Sequence, residues 1–157
     1  KKLLVAKLIE LTKVNLQLAY EAAQNTYEIA TNEENKAENK YDTKGLEASY
    51  LAGAQAERAN DIKATLASYE SINIKDYEGD NKIALTALIE ISDGKKNKLV
   101  LLMPKGGGQI IEFEQKQIQV VTPESPLGKN LIGKELGDVI QISTGEKKIN
   151  YEIISLV

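Results

Sequence analysis

The chain has 157 residues, of which 42% are hydrophobic and 27% charged, and its 20 basic and 23 acidic residues give a net charge of −3. This composition is typical of a globular protein, and the balance of charge disfavours direct binding to DNA or RNA phosphates. Because there is no Cys and no His, thiolate and imidazole chemistry and the usual zinc sites are excluded. Any metal ion would be a hard cation held by carboxylates, such as magnesium.

The start of the chain is basic and then apolar, but it does not have the pattern of a membrane segment. Glu10 and Lys13 interrupt the apolar run, which is shorter than the roughly 20 residues that span a bilayer. We interpret residues 1–9 as the start of a helix rather than as a signal peptide. Without Cys there is no disulfide framework, so we expect a cytoplasmic protein. Because no apolar run is long enough to span a bilayer, we also expect no association with membranes.

Two long helices are predicted in the first half of the chain. One apolar stripe, spaced by three and four residues, comprises Val5, Ile9, Thr12, Leu16, Ala19, Ala23, Thr26 and Ala30. A second stripe of the same kind comprises Ala48, Ala52, Gln55, Ala59, Ile62, Leu66 and Tyr69. This spacing is typical of a coiled-coil seam. The short break between the stripes favours an antiparallel hairpin, whose many Ala residues would let the helices approach closely and whose reach is about 45 Å.

The break between the helices carries charges that repeat every four residues. Glu34, Glu38 and Asp42 share this period, and the lysines two positions away follow it as Lys36, Lys40 and Lys44. Like charges at this spacing cost a helix a few tenths of a kcal/mol per pair, a cost that a bound cation would reverse. Three interpretations stay open: a solvated tip, carboxylates carried to a magnesium ion or a basic surface, and a helix cap at Asp42 or Thr43.

The second half of the chain predicts a small antiparallel sheet with one short helix. Ser125 is placed to cap that helix, Pro126 to open it and Gly133 to follow its end. Three glycines at 106–108 lack the Lys-Ser/Thr pair of a phosphate-binding loop, so we interpret them as a plain hairpin turn. The predicted strands are 83–91, 99–103, 110–113, 118–121, 139–142 and 149–154.

Residues 122–138, TPESPLGKNLIGKELGD, resemble the C-terminal signature of the Gre transcript-cleavage factor family. In that signature a Ser-Pro pair opens a short helix that ends in Leu-Ile-Gly-Lys, and Gly-Asp and a strand follow. The order of parts along the chain is similar as well. The resemblance implies an α+β fold, with a helical hairpin at 1–72 and its acidic tip at 31–44, a linker at 73–81, and an FKBP-like β domain at 82–157. Because the linker contains Gly79 and no Pro, we expect it to allow swivelling.

In the Gre family the hairpin enters the secondary channel of bacterial RNA polymerase, and its tip acids help to hold a catalytic magnesium ion so that backtracked RNA is cleaved. The resemblance therefore implies an elongation factor that is no enzyme itself, has the polymerase as partner and contacts nascent RNA indirectly. We expect a monomer without a tightly bound cofactor, sharing Mg²⁺ only with the polymerase. The implied site residues are the tip acids Glu34, Glu38 and Asp42, of which Glu38 is the magnesium ligand, their neighbours Asn35 and Asn39, and the polymerase-docking residues Ser125, Pro126, Leu127, Lys129 and Leu131. For Leu131 and Ile132 an alternative role stays open, which is to anchor the short helix to the sheet.

The tip departs from the family pattern of Asp, two residues, then Glu-Asn. Glu38 and Asn39 fit the second part, but Asn35 stands where the Asp belongs, and Asn is a weaker magnesium ligand than Asp. Two alternatives are therefore a channel occupant that does not stimulate cleavage and an unrelated coiled-coil adaptor. An exposed apolar patch along the hairpin would favour the adaptor. With Phe113 as the single Phe, we expect no prolyl isomerase activity from the β domain.

Overall fold

The computed structural model describes residues 1–31, 44–77, 82–145 and 147–157, so the predicted acidic tip lies outside the described residues. The helices are α1 (Lys2–Thr31), α2 (Lys44–Glu70) and α3 (Pro126–Leu131). The strands are β1 (Leu88–Ser92), β2 (Asn97–Leu102), β3 (Ile110–Phe113), β4 (Lys116–Val121), β5 (Val139–Thr144) and β6 (Lys147–Leu156). The predicted α+β class is confirmed.

The chain divides into two compact units. The hairpin unit is Ile9–Ala67, and the β unit is Lys1–Leu8 together with Ser68–Val157. This division differs from the predicted boundary at residue 72, because the first two turns of α1 and the last turn of α2 belong with the sheet. Within the described ranges, no helix is long and apolar enough to cross a membrane.

In the hairpin unit, the buried positions follow the predicted stripes. Thr12 and Ala19 on α1 and Ala59 on α2 are buried, and the next members of each stripe are half-buried. The last three turns of α1 and the first three of α2 border one cleft, so the end of α1 lies beside the start of α2, as in an antiparallel pair.

The cleft lies near the break between the two helices. Its volume is about 720 Å³, and its lining includes four Ala residues together with Tyr20 and Tyr27. Small side chains allow two helices to approach, but they supply little area to hold them together. Ala23 and Ala52 both line this cleft. The hairpin unit also exposes large apolar side chains, namely Leu11, Val14, Leu18, Tyr20, Tyr27, Ile29, Leu46, Tyr50 and Leu51.

The β unit is built on one six-stranded sheet with the order β3-β4-β2-β1-β6-β5. All neighbours are antiparallel except β2 and β4, which run parallel with Leu101 opposite Val120. The prediction of a purely antiparallel sheet is wrong at this pair. Because β4 lies between β2 and β3, the glycines at 106–108 are part of a crossover connection, and their interpretation as a hairpin turn is wrong too.

The main core of the β unit lies on one face of the sheet. It is a cluster of buried residues that includes Ile89, Val100, Leu131, Tyr151 and Ile153. On the opposite face, Lys7 Nζ donates to Glu112 O at 2.6 Å, which holds the start of α1 over β3.

Part of the predicted linker is fixed to the β unit. Lys75 N donates to Thr86 Oγ1 at 3.0 Å, and the Tyr77 hydroxyl donates to Leu85 O at 2.7 Å. Lys1 Nζ lies 4.9 Å from the centre of the Tyr77 ring and donates to Lys75 O. These contacts contradict the expectation that residues 75–77 act as a swivel.

Candidate docking groove

The start of α3 is fixed by the side chain of Ser125. Gly128 N donates to Ser125 Oγ at 3.0 Å, and the same hydroxyl donates to Thr122 O at 2.7 Å. Pro126 occupies the first helical turn, where its missing N–H costs nothing. The predicted N-cap and helix are confirmed, and the cap ties α3 to the end of β4.

Gly128 explains why α3 lies so close to the end of β4. A Cβ at this position would overlap the Thr122 carbonyl oxygen and lie 2.8 Å from its carbon. No side chain fits there, because the contact is with backbone that cannot move aside without shifting the helix. The Gly in the Ser-Pro-Leu-Gly segment therefore sets the distance between α3 and the strand.

Leu131 anchors α3 and is not a docking residue. Its side chain is 0% exposed and belongs to the main core, whereas the adjacent Ile132 is 44% exposed. The predicted docking role of Leu131 fails for a physical reason: its side chain is fully buried in the main core and presents no surface to a partner.

Three of the predicted docking residues border one groove. Its volume is about 510 Å³, and we call it the docking groove; it is lined by Gly107, Gly108, Gln119, Val120, Val121, Thr122, Ser125, Pro126, Leu127, Ile142 and Ser143. Pro126 is exposed on its rim, and Leu127 is half-buried because it also packs against the main core. Lys129 is exposed outside the groove lining.

Sequence reasoning missed the wall of the groove opposite α3. The 104–108 loop forms it, and two bonds hold the loop against β4: Gly108 N donates to Val120 O at 2.9 Å, and Val120 N donates to Gln109 O at 2.8 Å. The available signal was the glycine run itself, since consecutive glycines permit a close approach that other residues do not.

The side chain of Tyr69 holds the 104–108 loop in place. Its side chain is 1% exposed, and its hydroxyl donates to Lys105 O at 2.8 Å. Burial raises the pKa of Tyr69 to about 12, because the phenolate would lose its hydration there. The hydroxyl therefore remains a proton donor throughout the neutral range.

The tip acids Glu34, Glu38 and Asp42, with their neighbours Asn35 and Asn39, lie outside the described residues. Among the residues that are described, no three acidic side chains come together as a metal site.

Comparison with known proteins assigns the chain to a family. The family model described as "Transcription elongation factor, GreA/GreB, C-term" matches residues 78–156. The chain belongs to the GreA/GreB family. A transcription elongation factor GreA of Nitratidesulfovibrio vulgaris is 33% identical over 102 residues, which cover 63% of this chain and 59% of that relative. A transcription elongation factor GreA of Bartonella henselae is 31% identical over 116 residues, covering 69% of each.

The alignment with the first of these relatives thus spans about three fifths of its length. Among solved structures, that of GreA factor homolog 1 (Gfh1) of Thermus thermophilus is 21% identical, with a TM-score of 0.39, and the comparison covers 98% of this chain and 92% of that one. The whole docking groove lies inside the segment that matches the GreA/GreB family model, whereas the hairpin tip lies outside that segment.

Proposed function

We propose that this GreA/GreB family member is a transcription elongation factor that binds bacterial RNA polymerase and inserts its hairpin tip into the secondary channel. One observation carries the proposal: the docking groove lies inside the family segment, and Ser125, Pro126 and Leu127 border it together. The groove is concave and has a half-buried leucine at its side, which suits a protein partner. Its place of action is then the cytoplasm, where bacterial RNA polymerase works.

The chemistry of the proposed function belongs to the polymerase. The chain has no Cys and no His, and the donors at its tip are carboxylates, the hard oxygen ligands that suit magnesium. Glu38 is the leading ligand, and Glu34 and Asp42 are further candidates. When bound by the polymerase, the magnesium ion supplies the polarisation that RNA cleavage needs. The tip's own contribution is one further carboxylate oxygen and an indirect contact with nascent RNA.

A second candidate is a channel occupant that does not stimulate cleavage. The observation that favours it is Asn35, a neutral amide at the position where the family pattern has an Asp. Such a protein would bind the polymerase through the same groove and compete with other channel factors.

One observation favours the adaptor alternative, and another argues against it. The apolar side chains exposed along the hairpin unit are the patch that a protein-binding hairpin would show. They suit insertion into a protein channel equally well, and membership of the GreA/GreB family favours the polymerase as the partner.

The docking groove is tested by charge changes on its α3 side. Pro126→Asp together with Lys129→Glu alters two exposed positions, and Asp is compatible with a first helical turn, so the melting temperature should change little. We expect polymerase binding to weaken at least about tenfold in a pull-down or titration, since the two new carboxylates would have to be desolvated at the interface. Leu127→Asp is a poorer choice, because Leu127 packs against the main core and the change would also destabilise the fold.

The matched control is Leu136→Asp together with Lys95→Glu. Both positions are exposed and neither lines the groove, so this variant makes the same kind of charge change elsewhere on the β unit. Equal binding by the two double variants would rule out the groove as the docking surface.

A further inference from the structure

The 104–108 loop is connected to α3 by an unbroken series of contacts. Gly107 faces Thr122, since a Cβ at Gly107 would lie 3.1 Å from Thr122 Cγ2. Thr122 O in turn accepts the hydroxyl of Ser125 at 2.7 Å and its N–H at 3.1 Å. The two walls of the docking groove therefore meet at Thr122, and a shift in the loop would change the width of the groove.

At its other end this series meets Tyr69. The Tyr69 hydroxyl donates to Lys105 O at 2.8 Å, and Gly106 has a φ of +74° and lies directly over that hydroxyl. A Cβ at Gly106 would overlap the Tyr69 hydroxyl oxygen and lie 3.2 Å from Cζ. The Tyr69 side chain thus fixes the position of the 104–108 loop within the β unit.

We infer that Tyr69 is a positioning residue for polymerase docking: through Lys105 and Gly106 it holds the 104–108 wall of the groove at the spacing the partner requires. The inference rests on the proposed docking function. Tyr69 does not line the groove, so it acts only through the loop. Without its hydroxyl, the loop loses its tie at Lys105 and has to be ordered by the partner, which weakens binding.

Tyr69→Phe removes this hydroxyl and keeps the ring. We expect the full-length variant to bind RNA polymerase about fivefold more weakly, the loss that corresponds to one net hydrogen bond. Tyr77→Phe is the matched control, because the Tyr77 hydroxyl also donates to a backbone carbonyl in the β unit, Leu85 O at 2.7 Å, and Tyr77 does not line the groove. Both variants should melt at similarly lowered temperatures, but Tyr77→Phe should bind the polymerase within twofold of the native protein.

The contact between the phenol and the loop is tested separately by alanine substitutions at two glycines. Gly106 and Gly108 both have positive φ, +74° and +90°, but a Cβ at Gly108 meets nothing within 4 Å. Both changes strain the backbone, so the difference between them reports the clash with Tyr69. We expect Gly106→Ala to lower the melting temperature at least about 4 °C more than Gly108→Ala. Adding Tyr69→Phe to Gly106→Ala should recover part of that difference.

The outcomes separate this inference from the proposed function. If Pro126→Asp with Lys129→Glu abolishes binding but Tyr69→Phe binds like the native protein, the groove docks the polymerase and the positioning role of Tyr69 is refuted. Equal losses of affinity in Tyr69→Phe and Tyr77→Phe would refute it as well, since the effect would then follow stability alone. If the groove variant itself binds normally, docking by the groove fails and the positioning role fails with it.

Discussion

Replacing Leu131 by Ala should destabilise the β unit strongly, because this side chain is the fully buried apolar contact between α3 and the main core. Leu131 is 0% exposed and lies in the main core. Truncating a buried Leu to Ala removes its transfer free energy and leaves a cavity, which together cost about 2–5 kcal/mol. In a unit of about 100 residues, 1 kcal/mol corresponds to roughly 4–8 °C. We therefore expect the melting temperature of Leu131→Ala to fall by at least about 8 °C in a thermal scan.

Ile132→Ala is the control, since it removes a side chain of the same size one residue further on. Ile132 is 44% exposed, so its truncation should cost about 1 kcal/mol or less. A loss of polymerase affinity in Leu131→Ala without a lower melting temperature would contradict the anchoring role and restore Leu131 as a docking residue.

Three other predictions concern Tyr69 and the hairpin tip. Burial raises the pKa of Tyr69 in the folded protein from 10.0 to about 12. Its contribution to stability is therefore complete below pH 10 and is lost between pH 10 and 12, a loss of about 2–3 kcal/mol. Denaturant titrations should show this loss of stability in the native protein and not in Tyr69→Phe. Glu38→Ala should change the free energy of unfolding by less than about 0.5 kcal/mol, as most surface substitutions do. The same variant should reduce any cleavage of backtracked RNA by a cognate polymerase. Strong cleavage that survives the change would contradict the tip assignment. Asn35→Asp should raise that cleavage in the same purified assay. If neither the native protein nor Asn35→Asp stimulates cleavage, and both displace a known channel factor, the non-cleaving occupant becomes the better interpretation.

The periodic parts of the fold were predictable because local spacing decides them. The stripes that contain Thr12, Ala19 and Ala59 identified the buried side of both long helices, and the Ser125-Pro126 pair identified the start of α3. In each case the relevant partner lies within a few residues along the chain, or on a neighbouring turn. A local interaction of the same kind holds the turn between β1 and β2, where the Asp93 carboxylate accepts the N–H groups of Lys95 and Lys96 at 2.9 and 2.8 Å.

The errors arose where distant residues decide the structure. The alternation from Ile83 onward predicted one long strand, but Thr86 has a φ of +72° and β1 begins only at Leu88. Ile83 pairs instead with the segment after α3, donating to Lys134 O and accepting from Gly133 N, both at 2.8 Å. The parallel pairing of β2 with β4 has the same origin, since no local pattern states which strand becomes a neighbour.

The groove and the tip carry separable parts of the proposed function. The GreA/GreB segment contains the whole groove and none of the tip, so a member of the family can retain docking while its tip changes. Asn35 is a change of that kind, because it replaces a candidate magnesium ligand at a position outside that segment. Variants of the groove or of Tyr69 should therefore change affinity for the polymerase. Variants at Asn35 and Glu38 should change what the bound protein does there, at nearly constant affinity.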